Sequence, residues 1–412
     1  MAEWLTARGH LVRVVTAPPY YPAWQVRTDY RAWSYKTEPG AGLDGVRVYR
    51  CPIYVPRRPS GKTRVLHLTS FMLSSLPIML SQAQWRPDVV LAVEPTLMSS
   101  VAGLMTARLA EAAAWLHIQD FEVDAAFDLG LLDSDGLIHR LAEAVERRVM
   151  HRFDCVSTVS EKMMQRLPEK GVAVEKTVMF PNWVDTNAIA PLAETSRLRR
   201  QLGLGPDKIV LMYAGNMGMK QGLELLPQLA NEFAPDPRIH FVFCGAGAYR
   251  AQLAGMLHGA ANVTMLPLQP FDCLNDMLNA ADIHLLPQRP DAADLVMPSK
   301  LTGMLASGRP VIATAAPGTQ VALALDSCGI AVSPADRKGL FAAVRTLADD
   351  VEMRHAMGMA ARAYAVEHLG KERVLERFES GLIAAVATNR ATEPNRESWF
   401  VHGTVGSTHF ST

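Results

Sequence analysis

Three segments in the second half of the chain carry residue types suited to binding a phosphate group. Residues 209–222 and 239–247 each run from an apolar strand into a turn that contains glycine, and residues 297–314 begin a helix with Ser299 and Lys300. A parallel sheet presents bare backbone N–H groups at such turns, and a helix start adds a partial positive charge. The sequence therefore predicts a ligand with a diphosphate group in this half.

The first turn and the helix start supply most of the donors for that diphosphate. We expect the phosphates to rest on backbone N–H groups and on the helix dipole, with Lys220 adding a point charge. Asp291 and Asp294 are suited to hold sugar hydroxyls and fit a solvated loop equally well. The predicted donor-binding residues are Gly215, Asn216, Lys220, Gln221, Asp291, Asp294, Ser299, Lys300, Leu301 and Thr302, the last two through their N–H groups. The alternative for the glycine turn is a purely structural connection.

A second glycine pair, Gly245 and Gly247, superficially resembles a dinucleotide-binding fingerprint. The position of its third glycine holds Arg250, and no acidic residue ends the next strand, where a ribose ligand belongs. The pattern therefore disfavours a nicotinamide cofactor. No cofactor and no metal site are predicted.

Strands and helices alternate along the chain, which predicts parallel sheets. A polar link after residues 180–185 separates two such sets, so we predict an α/β protein with two Rossmann-like doubly wound domains that face each other across a cleft. The predicted domains are residues 1–186 and 187–370, followed by a helix at 371–388 and a disordered tail at 389–412. Strands are predicted at 11–17, 88–94, 113–119, 155–160, 209–214, 239–244, 263–266, 283–287, 310–314 and 329–333.

Composition narrows the class of protein. The 41 Lys and Arg residues balance 41 Asp and Glu residues, which gives no electrostatic reason to expect nucleic-acid binding. Five well-separated cysteines form no C-x-x-C pair, so a reducing cytoplasm fits best. No signal peptide is visible, and no apolar stretch reaches the roughly 20 residues that span a bilayer.

The start of the chain departs from the alternation. Residues 1–8 predict a short helix closed by Gly9, and in a β–α–β order such a helix follows a strand. We therefore expect the opening strand of the first domain, with its loop, to precede Met1, so that the chain is N-terminally truncated. The edges that face the resulting gap are expected to be unpaired and apolar.

Taken together, these residues resemble a known family. The order of residues 16–24 (TAPPYYPAW), 115–130, 180–185, 215–224, 286–311 and 329–336 is similar to the retaining glycosyltransferases of family 4, in the branch that builds colanic acid and related exopolysaccharides. The resemblance covers roughly residues 1–385. It implies a GT-B fold with an N-terminal acceptor domain, a C-terminal nucleotide-sugar domain and a last helix that crosses back.

The chain departs from the family pattern at several site positions. An Arg and a Lys that clamp the diphosphate are replaced by Asn216 and Gln221, and two glutamates eight residues apart are replaced by Leu295 and Gly303. In the acceptor domain, Asp120 stands where the family has the second member of a His-Asp pair. The resemblance implies that Asp120 contacts the acceptor or a hydroxyl, while the donor's own phosphate oxygen takes the acceptor proton.

The predicted function is therefore transfer of a sugar, with retention, from a nucleotide-diphosphate sugar to a lipid-linked oligosaccharide in exopolysaccharide biosynthesis. Basic residues at positions 57, 58, 62 and 64 precede an apolar helix at 65–80, which suits either a peripheral contact with the inner face of the cytoplasmic membrane or a buried domain helix. Two alternatives stay open, namely a sugar-nucleotide epimerase of the same fold and an inactive scaffold in a polysaccharide assembly.

Overall fold

The computed structural model describes residues 1–21, 24–39, 45–57, 61–94, 97–121, 136–218, 221–289 and 297–392. Its N-terminal half contains two separate β-sheets. One has the strand order β1-β3-β2 and the other the order β4-β5-β6-β7. The strands are β1 (Val12–Thr16), β2 (Lys36–Pro39), β3 (Val46–Arg50), β4 (Val89–Glu94), β5 (Ala113–Ile118), β6 (Cys155–Thr158) and β7 (Thr177–Met179).

Three of these strands were not predicted from the sequence. β2 and β7 are four and three residues long, and β2 pairs antiparallel with β3 at the sheet edge. β3 is the third. The composition of β2 is polar, and Glu38 forms an ion pair with Arg50 of β3 at 2.8 Å. β7 is too short for a period of two to be visible. The helices described in this half are Ala2–Ala7, Gly61–Gln82, Leu97–Ala110, Leu137–Met150 and Glu161–Arg166.

The C-terminal half is a six-stranded parallel sheet, as the sequence predicted. Its order is β10-β9-β8-β11-β12-β13, and each strand matches its prediction to within two residues. The strands are β8 (Ile209–Asn216), β9 (Ile239–Ala246), β10 (Val263–Leu266), β11 (Ile283–Leu286), β12 (Val311–Thr314) and β13 (Gly329–Val332). Four of them are almost continuous runs of buried residues because helices cover both faces of a doubly wound sheet.

Helices on the two faces complete the C-terminal core. Alternate residues of β8 belong to different core clusters, with Val210 and Met212 facing one layer of helices and Leu211 and Tyr213 facing the other. The helices described here are Arg197–Gln201, Leu225–Glu232, Arg250–Met256, Leu274–Leu278, Ser299–Ala306, Gln320–Ala324, Arg337–Asp349 and Val351–His368.

The last helix, Lys371–Thr392, packs against the N-terminal half. Phe378 stacks on Phe180 with ring centroids 3.9 Å apart and meets Trp115 edge-on. The helix runs four residues beyond the predicted end at 388, so the prediction of disorder was wrong for residues 389–392. In this last turn Arg390 forms an exposed ion pair with Asp88 at 2.7 Å, and Asn389 donates to the Glu111 carbonyl at 2.9 Å. The predicted domain boundaries themselves stay predictions.

Candidate functional site

The candidate site lies where the order of the C-terminal sheet reverses. β8 is the first strand of this sheet in the chain, and its two neighbours are β9 on one side and β11, the fourth strand, on the other. The helices that follow β8 and β11 therefore cover opposite faces and leave a crevice at the carboxyl ends of the two strands. Gly215 lies at the end of β8, and Lys300 lies in the first turn of the helix Ser299–Ala306 after β11.

Lys300 reaches across this crevice to the turn after β8. Its Nζ atom donates to Gln221 Oε1 at 3.1 Å and to the Tyr213 hydroxyl at 3.3 Å. A Cβ atom on Gly215 would be 3.3 Å from Lys300 Cδ, so the absence of a side chain there leaves room for the lysine. The structure thus brings together Gly215 and Gln221 of one predicted motif and Lys300 of another.

The charge of Lys300 is incompletely compensated. Among the described residues, no carboxylate lies within ion-pair distance of its Nζ atom, and its polar contacts are neutral. The Nζ atom also lies 4.4 Å from the centroid of the Tyr213 ring. Burial lowers the pKa of Lys300 to about 8, because the ammonium has lost part of its hydration. An anion that binds in the crevice would neutralise the positive charge of Lys300.

Tyr213 is a site residue that the sequence analysis missed. Its hydroxyl donates to the Asn216 carbonyl at 2.5 Å and accepts from Lys300, so it ties the turn to the lysine. Burial raises the pKa of this phenol, which keeps it protonated as a donor. The only signal in the sequence was a tyrosine in an otherwise aliphatic strand, two residues before the glycine turn.

The second glycine pair explains how closely the two turns pack. Gly215 and Gly245 are paired in register, and a Cβ atom on Gly245 would lie 1.9 Å from the Gly215 carbonyl oxygen. A Cβ atom on Gly247 would lie 2.4 Å from the carbonyl oxygen of Met217. These glycines therefore allow the ends of β8 and β9 to touch, which accounts for them without a dinucleotide.

The remaining predicted donor-binding residues differ in what they can offer. Asn216 and Ser299 are exposed beside the crevice. Thr302 is buried and its hydroxyl donates to the Ser299 carbonyl at 2.8 Å. The N–H of Leu301 donates to the Pro298 carbonyl at 2.9 Å in a tight first turn, so it is already used within the helix, contrary to the expectation. Lys220, Asp291 and Asp294 lie outside the described residues.

Asp120 lies in the N-terminal half, directly after β5, and is half-buried. A buried chain of hydrogen bonds precedes it. Trp115 Nε1 donates to Ser157 Oγ at 2.8 Å, and His117 Nδ1 lies 2.9 Å from the same oxygen. Burial lowers the pKa of His117 to about 4, so the ring is neutral, and its Nε2 atom lies 2.7 Å from the side-chain amide of Gln119. These hydrogen bonds hold the side chain of Gln119 in place next to Asp120.

Comparisons with known proteins agree with this architecture. The glycosyl transferase 4-like domain family matches residues 1–183, and the glycosyl transferases group 1 family matches residues 194–364. The chain is 41% identical over 387 residues to WcaI of Escherichia coli K12, whose name describes a glycosyl transferase of colanic acid biosynthesis. That match covers 92% of this chain and 93% of WcaI.

Solved structures with the same fold have lower sequence identity. Sucrose-phosphate synthase from Thermosynechococcus elongatus superposes with a TM-score of 0.70 at 19% identity, covering 93% of this chain and 92% of that one. HepE of Anabaena, in complex with UDP-glucose, superposes with a TM-score of 0.64 at 14% identity, covering 91% and 100%. At these identities the likeness shows the two-domain GT-B fold.

Proposed function

Since this chain belongs to the family of 4-like and group 1 glycosyltransferases, we propose that it transfers a sugar from a nucleotide-diphosphate sugar, with retention at the sugar, to a lipid-linked oligosaccharide during exopolysaccharide biosynthesis. The single observation that carries the donor part is the Lys300 crevice. It combines a glycine turn, a cation whose described partners are all neutral, and the carboxyl ends of two strands at a switch point.

The proposed chemistry places the diphosphate against Lys300 and the turn after β8. Cleavage of the bond between the sugar and the phosphate leaves negative charge on the departing diphosphate, and the ammonium stabilises that charge as it develops. The proton of the acceptor hydroxyl passes to a phosphate oxygen of the donor. Asp120 is then needed for orienting a hydroxyl rather than for strong general-base catalysis. The proposed reaction uses no metal and no cofactor.

The proposal that the acceptor is carried by a lipid has support in the helix Gly61–Gln82. Contrary to the expectation that no apolar stretch is long enough, the span Thr63–Trp85 could cross a membrane by length and composition, and 17% of its most apolar window is buried. The hydroxyls of Ser70 and Ser75 are hydrogen-bonded within the helix, because they donate to the carbonyls of His67 and Met72.

Exposed apolar and basic residues mark the surface that would face a bilayer. Leu66 and Leu73 are 54% and 60% exposed and lie two turns apart on this helix. Arg57 and Arg64 are exposed beside its start, and Arg64 lies over the Trp24 ring. Cations beside an apolar helix favour a peripheral contact with an anionic membrane. We propose that the protein works at the inner face of the cytoplasmic membrane.

The transfer reaction is tested by incubating the purified chain with UDP-sugars and GDP-sugars, with and without a membrane extract that contains lipid-linked glycans. Release of the nucleoside diphosphate that depends on the extract, together with a sugar label in the lipid fraction, supports the proposal. Interconversion of the nucleotide sugar without an acceptor would indicate an epimerase. Absence of nucleotide binding would indicate the scaffold alternative, which the replacement of the clamp residues by Asn216 and Gln221 motivates.

The membrane contact has a separate test. Replacing Arg57 and Arg64 by Gln is expected to reduce co-sedimentation with vesicles of phosphatidylglycerol and phosphatidylcholine, at about 1 kcal/mol per charge near the surface. The matched control replaces Arg337 and Lys338, two exposed cations of the C-terminal half, by Gln. Equal loss in both double variants, or no sedimentation of the parent chain, contradicts a specific contact.

A further inference from the structure

A loop with three aromatic side chains follows β1 in the N-terminal half. Tyr20, Tyr21 and Trp24 belong to residues 16–24 (TAPPYYPAW), one of the segments that carries the family resemblance. Tyr21 is 66% exposed, while Tyr20 and Trp24 are half-buried. The proposed reaction uses none of these side chains, so their arrangement needs a separate explanation.

The backbone of Trp24 is held in a strained conformation. Its φ of +51° lies in the left-handed region, which residues with bulky side chains rarely adopt because of steric clashes. Among the described residues, the other non-glycine residues with positive φ are Arg86 and Glu111, and each of them directly follows a helix. Trp24 instead lies in a turn of the loop. Strain of this kind persists where surrounding contacts hold a side chain in place, which is common at ligand sites.

A buried histidine supplies those contacts. His67 of the helix Gly61–Gln82 is 3% exposed, and its Nδ1 atom donates to the Tyr54 carbonyl at 2.5 Å. Since a carbonyl only accepts, Nε2 of the neutral imidazole accepts from the Tyr20 hydroxyl at 3.1 Å. The Tyr20 ring meets the imidazole edge-on with centroids 4.9 Å apart, and the Trp24 ring centroid lies 5.5 Å from that of the imidazole. The three rings therefore form one fixed aromatic cluster.

The aromatic cluster lies at the carboxyl ends of parallel strands. The loop with Trp24 follows β1, and Tyr54 and His67 follow β3, which pairs parallel with β1. Thr69, two residues after His67, donates to the Met98 sulfur at 3.8 Å, at the start of the helix that follows β4. Ligands of α/β proteins bind at this edge of a parallel sheet. Its position therefore makes the cluster a candidate for contact with a substrate.

The same edge of the N-terminal half faces the C-terminal half. The N–H of Lys162, in the helix that follows β6, donates at 3.3 Å to Oε1 of Gln320, which begins the helix that follows β12. The carboxyl ends of strands from the two halves therefore face each other. Asp120 also lies at this edge, because it directly follows β5. The aromatic cluster and Asp120 thus belong to the side of the cleft that the family resemblance assigns to the acceptor.

We propose that Trp24, supported by Tyr20 and His67, forms a platform on which a sugar ring of the acceptor stacks. A pyranose ring has an apolar face of C–H groups, and the negative π-face of an indole attracts such groups and shields them from water. The exposed guanidinium of Arg64 lies 5.8 Å from the centroid of the Trp24 ring and can donate to the hydroxyls of the bound sugar. This inference rests on the proposed transfer to a glycan, and it makes an aromatic contact part of acceptor recognition.

The test compares Trp24→Leu, which keeps an apolar side chain without a π-face, with Trp24→Phe, which keeps a smaller one. The matched control is Trp33→Leu, at a tryptophan of the same half that is 71% exposed. Transfer from the nucleotide sugar that the parent chain uses is measured against a dilution series of the membrane extract with lipid-linked glycans. Tyr20→Phe, which keeps the ring and removes the hydrogen bond to His67, tests the support of the platform.

We expect Trp24→Leu to raise the apparent KM for the extract by about three- to tenfold and to leave the KM for the nucleotide sugar unchanged. Trp24→Phe and Tyr20→Phe should have smaller effects, and Trp33→Leu should have none. Equal KM values for the extract in the parent chain and Trp24→Leu overturn the proposal. A rise in the KM for the nucleotide sugar instead would place the platform at the donor and also overturn it.

Two further measurements separate this inference from the rest of the proposed function. Co-sedimentation with vesicles of phosphatidylglycerol and phosphatidylcholine should be the same for Trp24→Leu and the parent chain, and a parallel loss of sedimentation would assign Trp24 to the membrane instead. Saturation-transfer NMR with methyl glycosides of glucose, galactose and mannose requires no transfer activity. The parent chain should saturate the ring C–H protons of at least one glycoside, and Trp24→Leu should not. Absence of that signal in the parent chain, or an equal signal in both chains, contradicts the platform even where transfer is observed.

Discussion

Replacing Lys300 by Met is the sharpest test of the donor site. The ammonium contacts the turn after β8, where it makes hydrogen bonds to neutral oxygens at 3.1 and 3.3 Å. A contact between a charged donor and a diphosphate oxygen contributes about 1.5–3 kcal/mol. The dissociation constant for UDP or GDP, whichever binds the parent chain, should therefore rise by about 10- to 150-fold.

The same substitution should not weaken the fold. The pKa of Lys300 is about 8 in the folded chain and near 10.5 when unfolded, so the folded state binds fewer protons between these values. The unfavourable burial of the ammonium is fully present below pH 8 and is relieved as the pH rises to about 10.5. Methionine removes this cost, so at pH 7 the melting temperature should stay constant or increase while binding is lost.

The pH dependence of nucleotide affinity distinguishes an effect of the charge of Lys300 from an effect of the size of its side chain. Nucleotide affinity in the parent chain should fall as the pH rises above about 8, by up to about tenfold per unit, because the ammonium must regain a proton to pair with phosphate. Lys300→Arg keeps its charge at every accessible pH and should remove this dependence. Isothermal titration calorimetry from pH 6.5 to 9.5 measures the nucleotide affinity of each variant, and Lys338→Met is the control at an exposed lysine. Unchanged affinity in Lys300→Met would refute the assignment of the site.

Two further predictions concern the parts that support the fold and the site. Gly245→Ala places a Cβ atom 1.9 Å from a carbonyl oxygen of the neighbouring turn at a φ of +155°, so it should cost at least about 2 kcal/mol in chemical denaturation and weaken nucleotide binding. Gly255→Ala, in a helix and with no atom within 4 Å, should be neutral or stabilise by up to about 1 kcal/mol, and a loss equal to that of Gly245→Ala would contradict the packing argument. Glu146→Gln removes the negative charge that pairs with buried Lys170 at 2.7 Å and should lower stability by more than Glu169→Gln, which changes an exposed pair and should cost under about 1 kcal/mol.

The sequence predicted the C-terminal half better than the N-terminal half for a physical reason. β8 and β9 are long apolar runs that end at glycine, so composition alone places both the strand and its turn. β2 and β7 are only four and three residues long, and each pairs with a neighbouring strand that offers hydrogen bonds. No local pattern reports such a contact, and the same holds for residues 389–392, where Asn389 and Arg390 contact Glu111 and Asp88, which are distant in sequence.

The site shows a similar division between local and tertiary information. Gly215 and Lys300 were predicted because a glycine turn and a helix start each have their own sequence signal. Their shared contact with Tyr213 was not, since a tyrosine in a buried strand is identical in sequence whether its hydroxyl meets solvent or an ammonium. The Leu301 N–H shows the opposite error, because a helix start predicts an open donor, whereas in the folded chain this N–H donates to the Pro298 carbonyl.

The contact between Gln221 and Lys300 gives a physical reading of the two departures from the family pattern on the turn after β8. Where the resemblance implied an arginine and a lysine on the turn after β8, this chain has Asn216 and Gln221, and Gln221 accepts a hydrogen bond from Lys300. A neutral amide cannot clamp a phosphate as a cation does, but it can orient the ammonium that remains. Lys300 then supplies, from the helix after β11, a positive charge that the resemblance placed on the turn. Loss of Lys300 should therefore weaken binding more here than in relatives that keep all their cations.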